Sequence, residues 1–400
     1  MKFFDFKINA YIFFIPALII APWANIATRH GYTYILILAF ITPVFVTISN
    51  FDKKIYFDKQ GKSYLIFALS SLIVSFFYHY FIFGFDTSNG GYLNFLHFYG
   101  ILIILCFFWL QVLLINKNKE KILYQFALYF FVIGLINIFS YTIVDVFNLS
   151  RSFELMQHFD YYDGASGRPL GITGNAAVNS TMLVIAYLLM VRGSAILNTK
   201  LSYAWLICCT LGVIIQKSGS GAASLAIAFL YHFSTLSIGR KKLAYILIPI
   251  LFSLMSFFEF EAVRRASPDY IYHIYTWFEK NTYIYISLDK SLMDVFFGLA
   301  NPLGKEVSEG VQLSTDFGTL YMINQVGLIF FISVSLLLFR IAFRSKEKID
   351  KVIIFIVLAT GLHYQIIFFL SSSILFSMYI VVALSSPIYA KNTSHLRFQV

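Results

Sequence analysis

A polar, glycine-rich segment at residues 163–175 carries the residues best suited to binding an anion. Its four glycines let the backbone turn sharply and approach a ligand closely. Thr173 and Asn175 are good N-cap residues for an apolar helix that we expect to run to about residue 190. The start of such a helix offers unpaired N–H groups and a positive dipole end, and Arg168 stands just upstream. This combination favours a phosphate group, although Arg168 could equally anchor a membrane helix at the interface beside a tight glycine turn.

Four cations lie near predicted helix ends on the same side of the protein. They are Arg168, Lys217, Arg264 and Arg265. Arginine is the preferred partner of a diphosphate because its planar guanidinium donates two charge-assisted hydrogen bonds at once. If several of these cations converged on one diphosphate, they would bind it and also stabilise it as a leaving group. For the two arginines of the later pair, the alternative is an ion pair with Glu259 or Glu261 at helical spacing.

Asp316 is the acidic residue best placed for base chemistry, because it stands at a predicted helix start on that side. An ionised carboxylate there could accept the proton of a hydroxyl group as its oxygen attacks. Capping of the helix by Asp316 would account for this residue equally well. The sequence contains no zinc-binding spacing, no nucleophile elbow and no glycine pattern of a nucleotide-binding loop. We therefore expect a reaction that uses neither a metal nor a cofactor.

The composition places these residues in a membrane protein. Of the 400 residues, 59% are hydrophobic and only 12% are charged, which is too apolar for a water-soluble domain. A bilayer core of roughly 30 Å needs about 20 apolar residues per helix, and the apolar runs of this chain have that length. The sequence therefore predicts an all-α, polytopic helical bundle of about twelve transmembrane helices. The predicted spans are 8–27, 32–50, 63–84, 92–115, 121–147, 173–191, 201–216, 219–238, 243–258, 316–339, 352–369 and 372–390.

The positive charges predict how these helices are oriented. If the N-terminus faces the cytoplasm, most of the 30 Lys and Arg residues fall in cytoplasmic segments. The bias holds at every cytoplasmic loop and predicts that both termini are cytoplasmic. The net charge of +10 is spread over these loops and forms no patch with interleaved aromatic residues. Nucleic acid is therefore not an expected partner, whereas membrane lipid is.

Two of the predicted outer segments are long, namely residues 148–172 and 259–315. A long loop on a compact helical bundle is usually functional, whereas the short cytoplasmic loops only connect helices. The larger loop contains an aromatic stretch around Tyr272 and Tyr275 that could anchor a surface helix at the interface or stack on a sugar. Since no repeat or linker divides the chain, we expect residues 1–400 to form one integral membrane domain that includes this loop.

Ionisable residues are scarce inside the predicted spans. Asp145 lies near one helix end, and isolated histidines such as His79 and His232 are expected to be hydrogen-bonded core or interface residues. Ion-coupled carriers bury carboxylates or arginines near the bilayer midplane. The sequence therefore argues against a pump and places any chemistry at the outer face.

The order of these features resembles the O-antigen polymerase and O-antigen ligase superfamily of bacterial envelope membrane proteins. The resemblance is carried by residues 167–175 entering one span, residues 217–223 starting a later one, and residues 316–321 with 325–328 after the large loop. Ligases have a histidine with a glycine eleven positions later. Here Asp316 and Gly327 keep that spacing with an acid in place of the histidine, which favours the polymerase branch. Members of the superfamily often carry an arginine where this chain has Gly221.

The resemblance implies a metal-independent glycosyltransferase of the hexosyltransferase type, with a GT-C-like fold in the bacterial inner membrane and a site that faces the periplasm. A glycan on undecaprenyl diphosphate would be the donor, and the terminal sugar hydroxyl of a second lipid-linked repeat unit would be the acceptor. Arg168, helped by Arg264 or Arg265, would hold the diphosphate. Asp316 would orient or deprotonate the acceptor. The further candidates for substrate binding are Lys217, Asn175 and Ser220.

Three other functions fit parts of the pattern. The first is O-antigen ligase activity, against which the missing histidine argues. The second is a lipid-linked oligosaccharide flippase, which would need a cationic central cavity, whereas the cations of this chain lie at the outer ends. The third is a non-enzymatic scaffold of the envelope, which would tolerate the loss of Arg168. A polymerase would act either alone or with a chain-length regulator.

Overall fold

The computed structural model describes residues 59–83, 119–146, 169, 171–173, 175–199, 201–235, 272, 275–276, 279, 291–298, 318–345, 347–362 and 370–385. The helices in these ranges are α1 (Lys59–Phe83), α2 (Lys119–Val146), α3 (Ala176–Ile196), α4 (Ala204–Ile215), α5 (Gly219–Thr235), α6 (Leu292–Phe297), α7 (Gly318–Val326), α8 (Leu328–Arg344), α9 (Lys348–Gly361) and α10 (Leu370–Leu384). No strand occurs in the described part of the chain. The predicted all-α class is therefore confirmed for these residues.

Three of the described helices are long and apolar enough to cross a membrane. The qualifying stretches are Lys59–Phe81 in α1, Lys119–Phe139 in α2 and Ala176–Ile196 in α3. A spanning helix satisfies its backbone hydrogen bonds internally, which is why long apolar sequences form helices in lipid. These helices support the prediction of a membrane protein.

Helix α3 is the most enclosed of the three. Its sequence carries apolar residues on every side, and 18 of its 21 residues are buried. A helix of that kind is stable only where other helices surround it. Around α3 they are α2, α4, α5 and α9, each of which packs against it. Helix α1 packs mainly against α8 instead.

Eight of the predicted spans overlap described helices, and one of these spans is divided into two helices. The predicted span 316–339 is not a single helix, because α7 ends at Val326 and α8 begins at Leu328. The predicted spans 8–27, 32–50, 92–115 and 243–258 lie outside the described residues. The total of about twelve spans therefore stays a prediction, as do the GT-C-like fold and the single domain.

Helices α3 and α5 run side by side in the same direction, and α4 returns the chain between them. The Ser220 hydroxyl in the first turn of α5 donates to the carbonyl of Ala177 in the first turn of α3, at 3.4 Å. Further along both helices, the Tyr187 hydroxyl lies 3.0 Å from His232 Nε2. This contact confirms that His232 is hydrogen-bonded, and the residue is half-buried.

The close approach of α3 and α5 depends on Gly221. A Cβ atom at this position would overlap the side chain of Ser180 on α3. An arginine at position 221 would therefore force the two helices apart. The glycine is explained by packing in this chain.

The break between α7 and α8 lies at Gly327 and is filled by the short helix α6. Gly327 has φ 88° and ψ 162°, a backbone conformation open in practice only to glycine. A Cβ atom there would overlap the carbonyl group of Phe296 in α6. Helix α6 therefore packs directly on the backbone of the break, and it also contacts α1.

Candidate functional site

The start of α3 is capped by a side chain of its own segment. Asn175 Oδ1 accepts hydrogen bonds from the backbone N–H groups of Ala177, at 2.9 Å, and Val178, at 3.1 Å. The predicted N-cap role of Asn175 is therefore confirmed. The cap also occupies two of the N–H groups that the sequence alone would leave for an anion. Helix α3 continues to Ile196, beyond the predicted end near residue 190.

Two buried amide side chains connect α3 to the chain next to Arg168. Asn179 Nδ2 donates to Gln216 Oε1 at 3.1 Å, and Gln216 Nε2 donates to the carbonyl of Pro169 at 3.1 Å. Both amide side chains belong to residues that are 0% exposed. We call this chain of groups the amide relay. Its second bond joins the residue that follows Arg168 to the residue that precedes Lys217 in the sequence.

Lys217 occupies the tight turn between α4 and α5. Its φ of 46° is left-handed, and its N–H donates to the carbonyl of Ile214 at 3.0 Å. The residue is exposed, whereas Ser218 beside it is fully buried. The Ser218 oxygen accepts from the N–H of Gly221 and lies 3.2 Å from the Ser220 hydroxyl oxygen. The turn therefore places a cation beside the start of α5 and, through Ser220, beside the start of α3.

Three of the predicted site residues lie at this end of the bundle. They are Asn175, Lys217 and Ser220. They come from two segments, which lie together because α3 and α5 begin side by side. We call this the Asn175 end. The predicted site residues that lie outside the described part of the chain are Arg168, Arg264, Arg265 and Asp316.

The helix that follows Asp316 reaches toward the same end. Thr319 Oγ1, in the first turn of α7, donates to the carbonyl of Gly361 at 2.9 Å, and Gly361 is the last residue of α9. Near its own start, α9 contacts the end of α3 through Asp350 and Arg192. Helix α9 packs on α3 and its 14 residues rise about 20 Å. Its last residue therefore lies toward the end at which α3 begins.

A buried charge cluster lies at the opposite end of the bundle. Arg192 of α3 donates through Nε to Asp350 of α9 at 2.8 Å, and through its two terminal nitrogens to Glu120 of α2. Asp350 also accepts from the hydroxyl groups of Tyr379, at 3.1 Å, and Ser345. The side chains of Arg192 and Asp350 are only 7% and 3% exposed. These five residues, the Arg192 cluster, tie together α2, α3, α9 and α10.

The Arg192 cluster is not predicted by the sequence patterns. Arg192 and Asp350 are predicted to lie in segments outside the spans 173–191 and 352–369. In the structure Arg192 belongs to α3 and Asp350 to α9, and both are buried. One signal was available. Asp350 lies on the apolar face of α9, between Ile349 and Ile353, where a solvated acid would not be expected.

The predicted site residues at the Asn175 end carry amide, hydroxyl and ammonium groups. Such groups bind anions and hydroxyl-bearing ligands through hydrogen bonds and charge. Within the described residues, no three His, Cys, Asp or Glu side chains stand together as metal ligands would. Tyr272 and Tyr275 of the predicted aromatic stretch are described, and both are exposed.

Replacing Gln216 by methionine is expected to destabilise the protein. Methionine has a similar length but can neither donate to Pro169 nor accept from Asn179, so two buried polar groups lose a partner at about 1–3 kcal/mol each. The measurement is the apparent melting temperature of the purified protein in detergent. Lys217→Gln alters the exposed neighbour and should melt like the wild type. An unchanged melting temperature for Gln216→Met would contradict the amide relay.

Similarity to known proteins assigns no function to this chain. Comparison with protein-family models, with curated proteins and with solved structures finds no match. The function is therefore inferred from the residues at the Asn175 end together with the sequence resemblance given above.

Proposed function

We propose that the protein is a metal-independent glycosyltransferase that polymerises lipid-linked repeat units of O-antigen or a related surface polysaccharide. The donor is a glycan on undecaprenyl diphosphate, and the acceptor is the terminal sugar of a second lipid-linked unit. The enzyme lies in the bacterial inner membrane with both termini in the cytoplasm, and its site faces the periplasm. It uses no cofactor and acts either alone or with a chain-length regulator.

The observation that carries this proposal is the hydrogen bond from Gln216 to the carbonyl of Pro169. The two residues are 47 positions apart, and the bond joins the chain beside Arg168 to the turn of Lys217. Two cations that act on one ligand suit a diphosphate, which offers several anionic oxygens. Helices α3 and α5 both begin at this end, and the positive ends of their dipoles favour an anion there.

The contacts at the two ends of the bundle support the proposed topology. The Arg192 cluster joins segments that the charge bias assigns to the cytoplasm. The amide relay and Thr319 belong to segments that the same bias assigns to the periplasm, and they lie toward the opposite end. The contacts therefore support the grouping of these segments at two ends, and the proposal that the Arg192 end faces the cytoplasm rests on the charge bias.

The proposed reaction is a single displacement at the anomeric carbon of the donor. The acceptor oxygen attacks the anomeric carbon while the bond between that carbon and the diphosphate oxygen breaks. The hydroxyl proton passes to Asp316, and undecaprenyl diphosphate leaves. Arg168 and Lys217, helped by Arg264 or Arg265, stabilise the charge that develops on the leaving group. The anomeric configuration is inverted by this route.

The competing functions receive less support. A flippase would carry its charged residues around a central chamber, whereas Arg192 and Asp350, the buried charged residues of the described part, lie near helix ends. The sister activity, transfer of finished polymer to a lipid A core, is disfavoured because Asp316 stands where the resembling ligases have histidine.

Complementation of a strain that lacks the gene tests the proposal. The wild type is expected to restore the polysaccharide ladder. Arg168→Ala and Asp316→Ala should leave a core that carries one repeat unit, with polymer reduced by roughly 10²–10⁴-fold for loss of the base. Ladders are read on gels at matched protein levels, and Lys351→Ala, an exposed change in a predicted cytoplasmic segment, serves as the control.

Two results would contradict the polymerase. A bare core with polymer accumulating on the lipid carrier would indicate a ligase instead. A full ladder from Arg168→Ala would leave only a scaffold role.

A further inference from the structure

Helix α6 is held against the end of α1 by three side chains. The Tyr78 hydroxyl donates to Asp294 Oδ1 at 2.9 Å. His79 Nε2 lies 2.8 Å from the carbonyl oxygen of Gly298, and Ser75 donates to the preceding carbonyl. Because a carbonyl oxygen only accepts, His79 carries a proton on Nε2. We call these bonds the α1–α6 contact, and they confirm that His79 is a hydrogen-bonded interior residue.

The position of α6 depends on what it touches, because six residues are too few for a stable isolated helix. Its internal order comes from a capping box, in which Asp294 N–H donates to Ser291 Oγ at 3.2 Å and Ser291 N–H donates to Asp294 Oδ2 at 2.9 Å. The capping box stabilises this turn but does not determine where the turn lies relative to the other helices. The α1–α6 contact supplies the placement.

The other side of α6 lies on the break between α7 and α8. The carbonyl group of Phe296 fills the space that a side chain at Gly327 would need, and α6 packs against both helices. The direction in which α7 leaves α8 is therefore set by where α6 sits. Helix α7 has nine residues, about 13 Å, and its first turn is bonded to α9 through Thr319.

We infer that Tyr78 and His79 are positioning residues, which act through α6 to hold α7 with its first turn toward the Asn175 end. The sequence of contacts runs from α1 to α6, from α6 to Gly327, and from there along α7 to Gly318. This inference rests on the proposed function, since Asp316 stands two residues before α7. It extends that function to helix α1, which contains none of the predicted site residues.

Chemical labelling tests the inference without any substrate. Leu320, partly buried in α7, is replaced by cysteine in a background whose three native cysteines are changed to alanine. A membrane-impermeant maleimide is then applied to spheroplasts. Tyr78→Phe/His79→Leu is expected to raise the labelling rate at least threefold, because α7 is no longer held. His79→Gln in the Tyr78 wild-type background can still donate to Gly298 and should label slowly.

A matched control and a second readout complete the test. Tyr64→Phe makes the same change in the first part of α1, where the Tyr64 hydroxyl has no hydrogen bond to the described residues, and should label like the parent. The same variants are scored for the polysaccharide ladder. The amount of polymer should fall at least tenfold in Tyr78→Phe/His79→Leu at matched protein levels, and it should stay close to the parent in His79→Gln.

Each outcome bears on one of the two claims. Fast labelling together with a weak ladder supports positioning. Unchanged labelling overturns it, and so does fast labelling with a full ladder where Arg168→Ala loses the ladder. If Arg168→Ala also keeps a full ladder, the proposed function fails while the labelling result still decides whether Tyr78 and His79 hold α7.

Discussion

Asp350→Ala is expected to destabilise the protein by about 3–5 kcal/mol, because it leaves Arg192 with a buried charge that Glu120 alone must balance. The substitution also removes the acceptor of Tyr379, whose hydroxyl is held inside the bundle. The bonds that join α9 and α10 to this cluster would then be lost. The measurement is the apparent melting temperature in detergent, together with the amount of protein that accumulates in the membrane.

Two further variants show whether charge imbalance is the cause of this loss. Lys351→Ala changes the exposed neighbour of Asp350 and should leave the melting temperature unchanged. Arg192→Met/Asp350→Leu removes both buried charges and should be more stable than Asp350→Ala, since replacing a buried pair by apolar residues is often neutral. If the double variant melts at a lower temperature than Asp350→Ala, the explanation by an unpaired charge is wrong.

The helices are predictable from the sequence wherever their hydrophobic runs are uninterrupted. The predicted span 121–147 matches α2, Lys119–Val146, which is long enough to cross a membrane. The predicted span 201–216 contains the shorter apolar helix α4, Ala204–Ile215. The agreement follows from the physics of lipid, in which a long apolar segment has no alternative to a helix. The cap at Asn175 is predictable for a local reason too, because its partners lie two and three residues away.

The start of α9 shows where the hydrophobic pattern is insufficient. The prediction places this span at 352–369, whereas α9 begins at Lys348 and ends at Gly361. A prediction from hydropathy leaves Lys348 and Asp350 out of the span, because an unpaired charge would not be buried. Asp350 is buried because Arg192, 158 residues earlier, neutralises it. The apolar neighbours of Asp350 indicate that it is buried, but the local sequence cannot identify a partner at that distance.

The amide relay could not be predicted from the sequence for the same reason. Asn179 and Gln216 are 37 residues apart, and each is an ordinary polar residue within its own segment. Only the side-by-side placement of the α3 and α4 ends makes them partners. The sequence could therefore identify Arg168 and Lys217 as cations on one side of the membrane, but it could not show that the chain beside one is bonded to the chain beside the other.

Gly327→Ala is expected to lower stability by about 1–3 kcal/mol through backbone strain alone, because φ 88° with ψ 162° is open in practice only to glycine. The added methyl group would also overlap the carbonyl of Phe296, and backbone atoms of α6 cannot yield as the end of a side chain can. We therefore expect α6 to leave its place on the break. The apparent melting temperature in detergent and the polysaccharide ladder measure the two consequences.

Gly134→Ala is the matched control for this change. It adds the same methyl group inside α2, where φ is not positive and the nearest atom is the end of the Leu183 side chain at 3.0 Å. Since a leucine side chain can shift and alanine favours a helix over glycine by up to about 1 kcal/mol, this variant should stay close to the wild type. A Gly327→Ala protein that is as stable as Gly134→Ala and gives a full ladder would show that α6 does not need the glycine. The break in the helix would then have another cause than its contact with α6.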